Sequence, residues 1–132
     1  MTLKRILIID DDPGITRGIK HNLEATGAYQ VYHENHAVVA VQTARSLLPD
    51  LILLDTVMPG MHGREVAARL SQDPELSRTP IVFLTAKVSD EVSDEETGGS
   101  KAYVGGYDSL AKPVDLGALI QKINSYLTHI NP

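Results

Sequence analysis

The sequence alternates short, mostly apolar runs with longer segments in which apolar residues recur every three or four positions. The short runs are Lys4–Ile9, 51–54 and 80–86. They are too short to predict helices and are bounded by turn-forming residues, which is typical of strands buried on both faces. The periodic segments predict amphipathic helices. Strands that alternate with helices of this length predict βαβ units and a parallel sheet.

Weaker signals complete a count of five strands and five helices. The two further strands are an edge strand at Tyr29–Glu34 and a short strand at 110–111. Helices are predicted from Pro13 to a C-cap at Gly27, over 37–48, over about 63–70, within 87–101, and after the N-cap Asp115. The expected buried stripe of the last helix is Leu116, Ile120, Ile123 and Leu127. The fourth helix has the weakest signal, because two glycines interrupt its segment.

Composition and charge narrow the class of protein. At 132 residues the chain is long enough for one domain, 1–132, with a single core. It contains no Cys, so it has neither disulfides nor Cys-ligated metals. The net charge of −5 argues against non-specific nucleic-acid binding, which needs clustered Lys and Arg. No apolar run reaches about 18 residues and no signal-peptide pattern opens the chain. We therefore expect a cytoplasmic protein that binds neither nucleic acid nor membrane directly.

Polar residues follow the predicted strands at the points where those strands end. Asp10 and Asp11 follow the first strand, Asp55 ends the central one, Thr85 ends another, and Lys112 follows the last. The carboxyl ends of parallel strands lie at one edge of a sheet, which is where open α/β sheets bind ligands. Each residue taken singly could be a cap, a turn residue or a solvated charge, as we infer for Asp12, the N-cap of the first helix. The complete set is better explained as a site.

The chemistry that suits this set is phosphoryl transfer. Close pairs of carboxylates repel by about 3–4 kcal/mol at an effective dielectric near 20, and a hard cation such as Mg²⁺ would offset that cost because it takes oxygen ligands. The metal, an ammonium and a hydroxyl neutralise phosphoryl oxygens. A free carboxylate can itself be the nucleophile.

These motifs resemble the receiver domain of two-component response regulators, the CheY-like family, along nearly the whole chain. The resemblance rests on paired acids after an apolar strand, the pattern Asp55-x-x-Met58-Pro59-x-x-x-Gly63, a Thr-Ala pair thirty residues beyond Asp55, and Lys112-Pro113 before the last helix. It implies a doubly wound, flavodoxin-like five-stranded parallel sheet in the order 2-1-3-4-5, with helices on both faces.

The resemblance also implies a role for each site residue. Asp55 would be the phosphoacceptor. Asp11 and Asp55 would bind Mg²⁺ directly, Asp10 would act through water, and the backbone carbonyl of Val57 would complete the metal site. Lys112 would pair with Asp55 and later with a phosphoryl oxygen. In this family the peptide bond between Lys112 and Pro113 is typically cis. Thr85 would hydrogen-bond the phosphoryl group.

The function implied is that of a switch and not of an enzyme with a separate substrate. The phosphoryl donor would be a sensor histidine kinase or a histidine phosphotransfer protein, and the output would pass to a downstream effector domain or protein. One alternative is a degenerate receiver that acts as a phosphorylation-independent scaffold. Another is a Mg²⁺-dependent phosphohydrolase, which would need a general acid near the nucleophile. The turn after Asp55 offers no second Asp two residues on.

The chain departs from the family pattern in three places. Ser109 occupies a position that is usually aromatic, and Tyr107, two residues earlier, is the candidate substitute. The interval between Thr85 and Lys112 is about five residues longer than usual. Because Ser109 offers no ring to move inward, and 87–106 is acidic, contains glycines and has few apolar anchors, we predict that this segment responds to phosphorylation. Val57 and Lys87 flank the site. Val57 offers attacking water no hydrogen-bonding group, and Lys87 adds positive charge near the phosphoryl group.

Overall fold

A computed structural model describes residues 3–86, 103–104 and 107–127. The strands are β1 (Lys4–Ile9), β2 (Tyr29–Glu34), β3 (Leu51–Asp55), β4 (Ile81–Thr85), β5 (Tyr103–Val104) and β6 (Tyr107–Ala111). The α-helices of the described residues are α1 (Pro13–Glu24), α2 (Ala40–Leu47), α3 (Gly63–Gln72) and α4 (Leu116–Leu127), and a 3₁₀ turn at Ala37–Val39 leads into α2. The predicted fourth helix, 87–101, lies outside the described residues.

Five strands form a parallel sheet in the order β2-β1-β3-β4-β6. Counting the parallel strands alone, this is the expected order 2-1-3-4-5, and the predicted doubly wound fold is confirmed. The two-residue β5 was not predicted; it pairs antiparallel with the outer edge of β6. The last parallel strand begins at Tyr107, three residues before the predicted start. Its first residues were missed because the strands were predicted from apolar runs, and Asp108 and Ser109 are polar.

Each face of the sheet packs against its own pair of helices, because successive strand residues point to opposite faces. Ile6, Ile8, Leu51 and Leu53 pack with residues of α1 and α4. Leu7, Ile9, Ile52 and Leu54 pack with residues of α2 and α3. Both sets are fully buried, which explains why these strands are continuous apolar runs. None of the helices in the described part of the chain combines the length and apolar character needed to span a membrane.

The helix ends agree with the sequence in part. The Asp12 side chain caps α1 by accepting from the amides of Gly14 at 2.9 Å and Ile15 at 3.4 Å. The Asp115 side chain accepts from the Ala118 amide at 2.9 Å, as its predicted cap role requires. The predicted C-cap at Gly27 was wrong: α1 ends at Glu24 with Ala25 as its cap, and Gly27 takes the left-handed conformation (φ 83°) in the following turn.

Two predicted helix patterns were shifted. The first three residues assigned to the second helix form a 3₁₀ turn. The C-cap residue of α2, Leu48, has the left-handed conformation, with φ 48°. The buried residues of α4 are Leu119, Ile123 and Leu127, whereas Leu116 and Ile120 are only partly buried. The stripe therefore runs at intervals of four residues from Leu119, and the predicted stripe mixed this face with its flank.

Candidate functional site

Asp10 is the residue immediately after β1, and its side chain is fully buried. Its amide continues the sheet ladder by donating to the Glu34 carbonyl at 3.1 Å. One carboxylate oxygen, Oδ1, accepts from the Asp12 amide at 3.0 Å. The other, Oδ2, lies 2.7 Å from Lys112 Nζ in an ion pair that lacks hydrogen-bond alignment. A buried carboxylate requires compensation of this kind, because removing the charge from water is costly.

Asp55 is the last residue of the central strand β3 and is 5% exposed. Its Oδ1 atom lies 3.1 Å from Lys112 Nζ and 3.5 Å from the Val57 amide. Lys112 therefore bridges Asp55 and Asp10, with the shorter contact to Asp10. The Lys112 amide donates to the Thr85 carbonyl at 2.8 Å, which fixes the Lys112 backbone beside β4. The peptide bond between Lys112 and Pro113 is cis.

The turn after Asp55 is closed by the start of α3. The Gly63 amide donates to the Thr56 carbonyl at 2.9 Å. A Cβ atom on Gly63 would lie 2.1 Å from the Asp55 carbonyl oxygen, far inside contact distance. Only glycine allows the helix to approach the strand end this closely, so Gly63 sets the position of the Asp55 backbone.

Asp11 joins the two buried acids. Asp10, Asp11 and Asp55 each offer a carboxylate oxygen, and these three oxygens lie within 4.8 Å of one another. Asp11 is exposed, so the cluster opens to solvent on its side. A donor set made of carboxylate oxygens alone fits Mg²⁺, because this hard cation takes oxygen ligands. Val57 is 66% exposed, and the contact that the structure shows between it and Asp55 is made by its backbone amide. The role of its carbonyl as a metal ligand therefore stays a prediction.

The charges at this edge shift one another's protonation. Burial and the neighbouring charge of Asp10 raise the pKa of Asp55 to about 6, although Lys112 acts in the opposite direction. Burial would lower the pKa of Lys112, but its contacts with Asp10 and Asp55 outweigh burial and raise that pKa. The two carboxylates thus keep the ammonium charged. A cation bound between the acids would favour the ionised form of Asp55 in the same way.

Thr85 ends β4 and is buried, on the strand face that also carries Phe83. Ser109 pairs with Phe83 across the sheet, and its buried hydroxyl has no hydrogen-bond partner among the described residues. The Tyr107 ring meets the Phe83 ring edge-on, with centroids 5.6 Å apart and planes at 74°. The strand does extend back to Tyr107, so Tyr107 and Ser109 share a face as predicted.

The comparison with protein families follows this geometry. The family model described as the response regulator receiver domain matches residues 6–124. The chain belongs to the response regulator receiver family. It is 36% identical over 125 residues to Protein PilH of Pseudomonas aeruginosa, across 95% of this chain and 98% of PilH. It is 33% identical to the DNA-binding dual master transcriptional regulator RpaA of Synechocystis, across 95% of this chain but 49% of RpaA.

Solved receiver structures have the same fold. The chemotaxis response regulator CheY4 of Vibrio cholerae superposes with a TM-score of 0.79 at 27% sequence identity, across 96% of this chain and 100% of that chain. The chain is therefore a CheY-like receiver domain of two-component signalling. The general role of such domains is that of a phosphorylation switch, and they are signalling proteins, not classical enzymes.

The sequence predicted the strand-end residues of this receiver domain but not Asn35, which contacts one of them, Asp10. Asn35, in the loop after β2, donates from Nδ2 to the Asp10 carbonyl at 2.7 Å and to Thr16 Oγ1 at 3.3 Å. The available signal was its position one residue beyond a strand that pairs with β1. An amide in a loop has many ordinary uses, so that position alone predicted nothing.

Proposed function

We propose that this receiver domain is a phosphorylation-dependent switch whose phosphoacceptor is Asp55. The observation that carries the proposal is the buried Asp55 carboxylate at the end of the central strand, 3.1 Å from the Lys112 ammonium. A buried acid with a raised pKa is typical of functional sites. The donor is a histidine kinase or a histidine phosphotransfer protein, and the output partner is a downstream effector domain or protein. Both exchanges take place in the cytoplasm.

The transfer step needs only one nucleophile from this chain. A carboxylate oxygen of Asp55 forms a bond to phosphorus as the bond between phosphorus and the donor's imidazole nitrogen breaks. The electron pair stays on the imidazole, which takes up a proton. The product is an acyl phosphate on Asp55, which water later cleaves to regenerate the carboxylate and release inorganic phosphate. Catalysis of both steps is positioning and charge neutralisation, as in other phosphoryl transfers.

The remaining site residues hold charge around the phosphoryl group. Asp11 and Asp55 would hold Mg²⁺ directly, Asp10 would act through a water molecule, and Val57 would contribute its carbonyl. When bound, the ion supplies positive charge at the phosphoryl oxygens and offsets the repulsion between the carboxylates. Lys112, which lies 3.1 Å from Asp55 Oδ1, pairs with a phosphoryl oxygen.

Thr85 completes the phosphoryl site from the neighbouring strand, because its hydroxyl can donate to a second phosphoryl oxygen. The exposed apolar side chain of Val57, two residues after Asp55, gives attacking water no hydrogen-bond partner. The acyl phosphate should therefore be lost slowly, since nothing polar at that position orients the water.

The test of the proposal is labelling with radioactive acetyl phosphate in the presence of Mg²⁺. The unsubstituted protein should be labelled, and Asp55→Asn, which keeps the size of the side chain and removes the nucleophile, should not. Asp50→Asn is the matched control. Asp50 lies at the other end of the same strand, and its side chain accepts from the Arg5 amide at 2.8 Å, a contact that asparagine preserves.

Equal labelling of Asp55→Asn and the unsubstituted protein would place the acceptor elsewhere and refute the assignment. If neither acetyl phosphate nor a phosphohistidine donor labels the unsubstituted protein, the scaffold alternative is favoured instead. Loss of labelling in Asp50→Asn to the same extent would show that the effect reflects damage to β3 and not removal of the acceptor.

A further inference from the structure

The loop between β2 and the 3₁₀ turn places an amide against the acid cluster. Asn35 Nδ2 donates to the backbone carbonyl of Asp10 at 2.7 Å and to the Thr16 hydroxyl oxygen at 3.3 Å. Thr16 Oγ1 itself donates to the Pro13 carbonyl at 3.1 Å, so towards Asn35 it is an acceptor. Asn35 Oδ1 contacts His33 Nδ1 at 3.1 Å. These partners require the amide nitrogen on the Asp10 side, since a reversed amide would put two oxygens together.

The Asp10 carbonyl accepts from the Asn35 side chain in the place where a strand residue would accept from a neighbouring strand. Asp10 is the first residue after β1, and its amide still pairs with the Glu34 carbonyl. Its carbonyl instead receives the Asn35 side chain. That carbonyl belongs to the peptide that joins Asp10 to Asp11, and both side chains are members of the acid cluster. The orientation of this single peptide therefore sets where two of the three carboxylates point.

Other contacts hold the loop on both sides of Asn35. The Glu34 side chain accepts from the His36 amide at 3.0 Å and from the Thr43 hydroxyl at 2.6 Å. These contacts do not involve the Asn35 side chain. Removing that side chain should therefore leave the loop in place while releasing the carbonyl of Asp10. Thr16, the second acceptor, is 1% exposed in the first turn of α1, so Asn35 also ties α1 to the β1 end.

We infer that Asn35 is a positioning residue of the metal site, which holds the peptide between Asp10 and Asp11 in the orientation that lets their carboxylates bind Mg²⁺. This inference rests on the proposed function, because it requires that the acid cluster bind the ion. Asn35 does not touch the ion and acts through the backbone of Asp10. Partners one step removed from a metal typically change its affinity by about 10–100-fold when they are removed.

The test compares Asn35→Ala with the unsubstituted protein by calorimetric Mg²⁺ titration and by thermal unfolding in EDTA. We expect the variant to bind Mg²⁺ about tenfold more weakly, at the lower end of the range for such partners, with little change in the EDTA melting temperature. His36→Ala is the matched control, because the His36 ring contacts Glu34 and not the acid cluster. It should bind Mg²⁺ like the unsubstituted protein.

A spectroscopic reading in metal-free protein separates positioning from general stability. The ¹⁵N shift of the Asp11 amide responds to a hydrogen bond on the Asp10 carbonyl, because both atoms belong to one peptide group. It should move in Asn35→Ala and stay unchanged in His36→Ala. If Asn35→Ala does not fold, Asn35→Ser, which keeps a shorter hydroxyl donor, is measured in its place and should show an intermediate loss of affinity.

The outcomes distinguish this inference from the proposed function. An unsubstituted protein that does not bind Mg²⁺ would refute the metal site itself, whatever Asn35 does. A protein that binds Mg²⁺ with equal affinity in the unsubstituted and Asn35→Ala forms would refute only the positioning role. A lower melting temperature in EDTA with unchanged Mg²⁺ affinity would assign Asn35 to stability alone, which also contradicts the inference.

Discussion

At the scale of single residues, Gly63 shows how closely the backbone around Asp55 is packed. Gly63→Ala would place a methyl group 2.1 Å from the Asp55 carbonyl oxygen, so the strand end or α3 must move. We expect the free energy of unfolding to fall by about 1–3 kcal/mol, the usual cost of overpacking. Phosphorylation should also slow, because Asp55, the proposed acceptor, is displaced. Urea unfolding and acetyl phosphate labelling measure the two effects.

The chain provides a control for that substitution. Gly18 lies within α1, and no atom lies within 4 Å of the position its Cβ would take. Gly18→Ala should raise the free energy of unfolding by about 0.5–1 kcal/mol, because alanine favours a helix over glycine. Equal effects of the two substitutions would contradict the steric account of Gly63.

The pKa of Asp55 gives the metal site a predictable pH dependence. Because the folded protein raises this pKa from 3.8 to about 6, the folded state holds the proton more tightly than the unfolded state. In metal-free protein the contribution of Asp55 to stability therefore decreases as pH rises between these two values. Mg²⁺ requires the ionised carboxylate, so the rise in melting temperature that Mg²⁺ produces should shrink as pH falls through about 6.

Thermal unfolding with and without millimolar Mg²⁺, at several pH values, checks this dependence. Asp11→Ala should reduce the effect of Mg²⁺ at every pH, because it removes one carboxylate of the cluster. Asp12→Asn should not, since Asp12 caps α1 and asparagine can do the same. An increase in melting temperature with Mg²⁺ that is constant from pH 8 to pH 4 would contradict ionised Asp55 as a ligand.

The residues of the site were predictable from the sequence to the extent that they end strands. Asp10, Asp55, Thr85 and Lys112 follow apolar runs, and a parallel sheet brings such positions to one edge. The expected pairing of Lys112 with Asp55 is present at 3.1 Å. The shorter contact of Lys112 with Asp10, 2.7 Å, was not predicted, because contact distances depend on side-chain conformation.

At the scale of elements, β6 departs from the apolar pattern at Ser109. Its Ser109 hydroxyl is buried without a hydrogen-bond partner among the described residues. Burying such a hydroxyl costs desolvation free energy that no hydrogen bond among the described residues offsets. Ser109→Ala should therefore leave the free energy of unfolding unchanged or raise it by up to about 1 kcal/mol, as measured by urea unfolding.

Thr16→Val is the contrasting variant for Ser109→Ala. Thr16 is also buried, but its hydroxyl donates to the Pro13 carbonyl and accepts from Asn35. Removing that hydroxyl should cost about 1 kcal/mol or more, because buried partners lose their hydrogen bonds. A loss of similar size in Ser109→Ala would show that the Ser109 hydroxyl has a partner after all.

The response to phosphorylation is a second prediction at this scale. A phosphoryl group on Asp55, the proposed acceptor, would add about −1.5 to −2 charges beside Thr85 and Lys112. Serine at position 109 leaves no ring to swing inward from that site, and the Tyr107 ring packs against Phe83. We expect the response in 87–106, the acidic, glycine-containing segment after β4, of which only Tyr103–Val104 is described.

Hydrogen exchange with and without beryllofluoride, which substitutes for the phosphoryl group, tests that expectation. Changes in protection should concentrate in 87–106. Unchanged exchange there, together with changes in α1 or α4, would contradict this account of the switch.

The elements themselves were predictable where the apolar pattern was strong. The runs that became β1, β3 and β4 are continuous, because helices cover both faces of those strands. β6 contains the polar residues Asp108 and Ser109, so its first three residues were missed. The stripe of α4 was misplaced because apolar residues also lie beside the buried face, where only packing distinguishes Leu119 from its neighbours.

At the scale of the whole molecule, the fold explains why chemistry lies at one edge. Two apolar layers, one with α1 and α4 and one with α2 and α3, bury both faces of β3 and β4 and most of β1. The buried charges of Asp10 and Asp55 are at that edge, where Lys112 and the opening beside Asp11 compensate them. Three carboxylates gathered at one point are suited to a cation, and positive charge from that cation and from Lys112 is what a phosphoryl group at this edge would need.

The measurement that tests the central claim most directly is the chemical location of the phosphoryl group. The protein is incubated with acetyl phosphate and Mg²⁺, reduced with borohydride, which converts an aspartyl phosphate to the alcohol, and digested for tandem mass spectrometry. We predict a reduced side chain at position 55, absent without acetyl phosphate. Reduction at Asp10 or Asp11, or a phosphoryl group found on a histidine, would contradict the account.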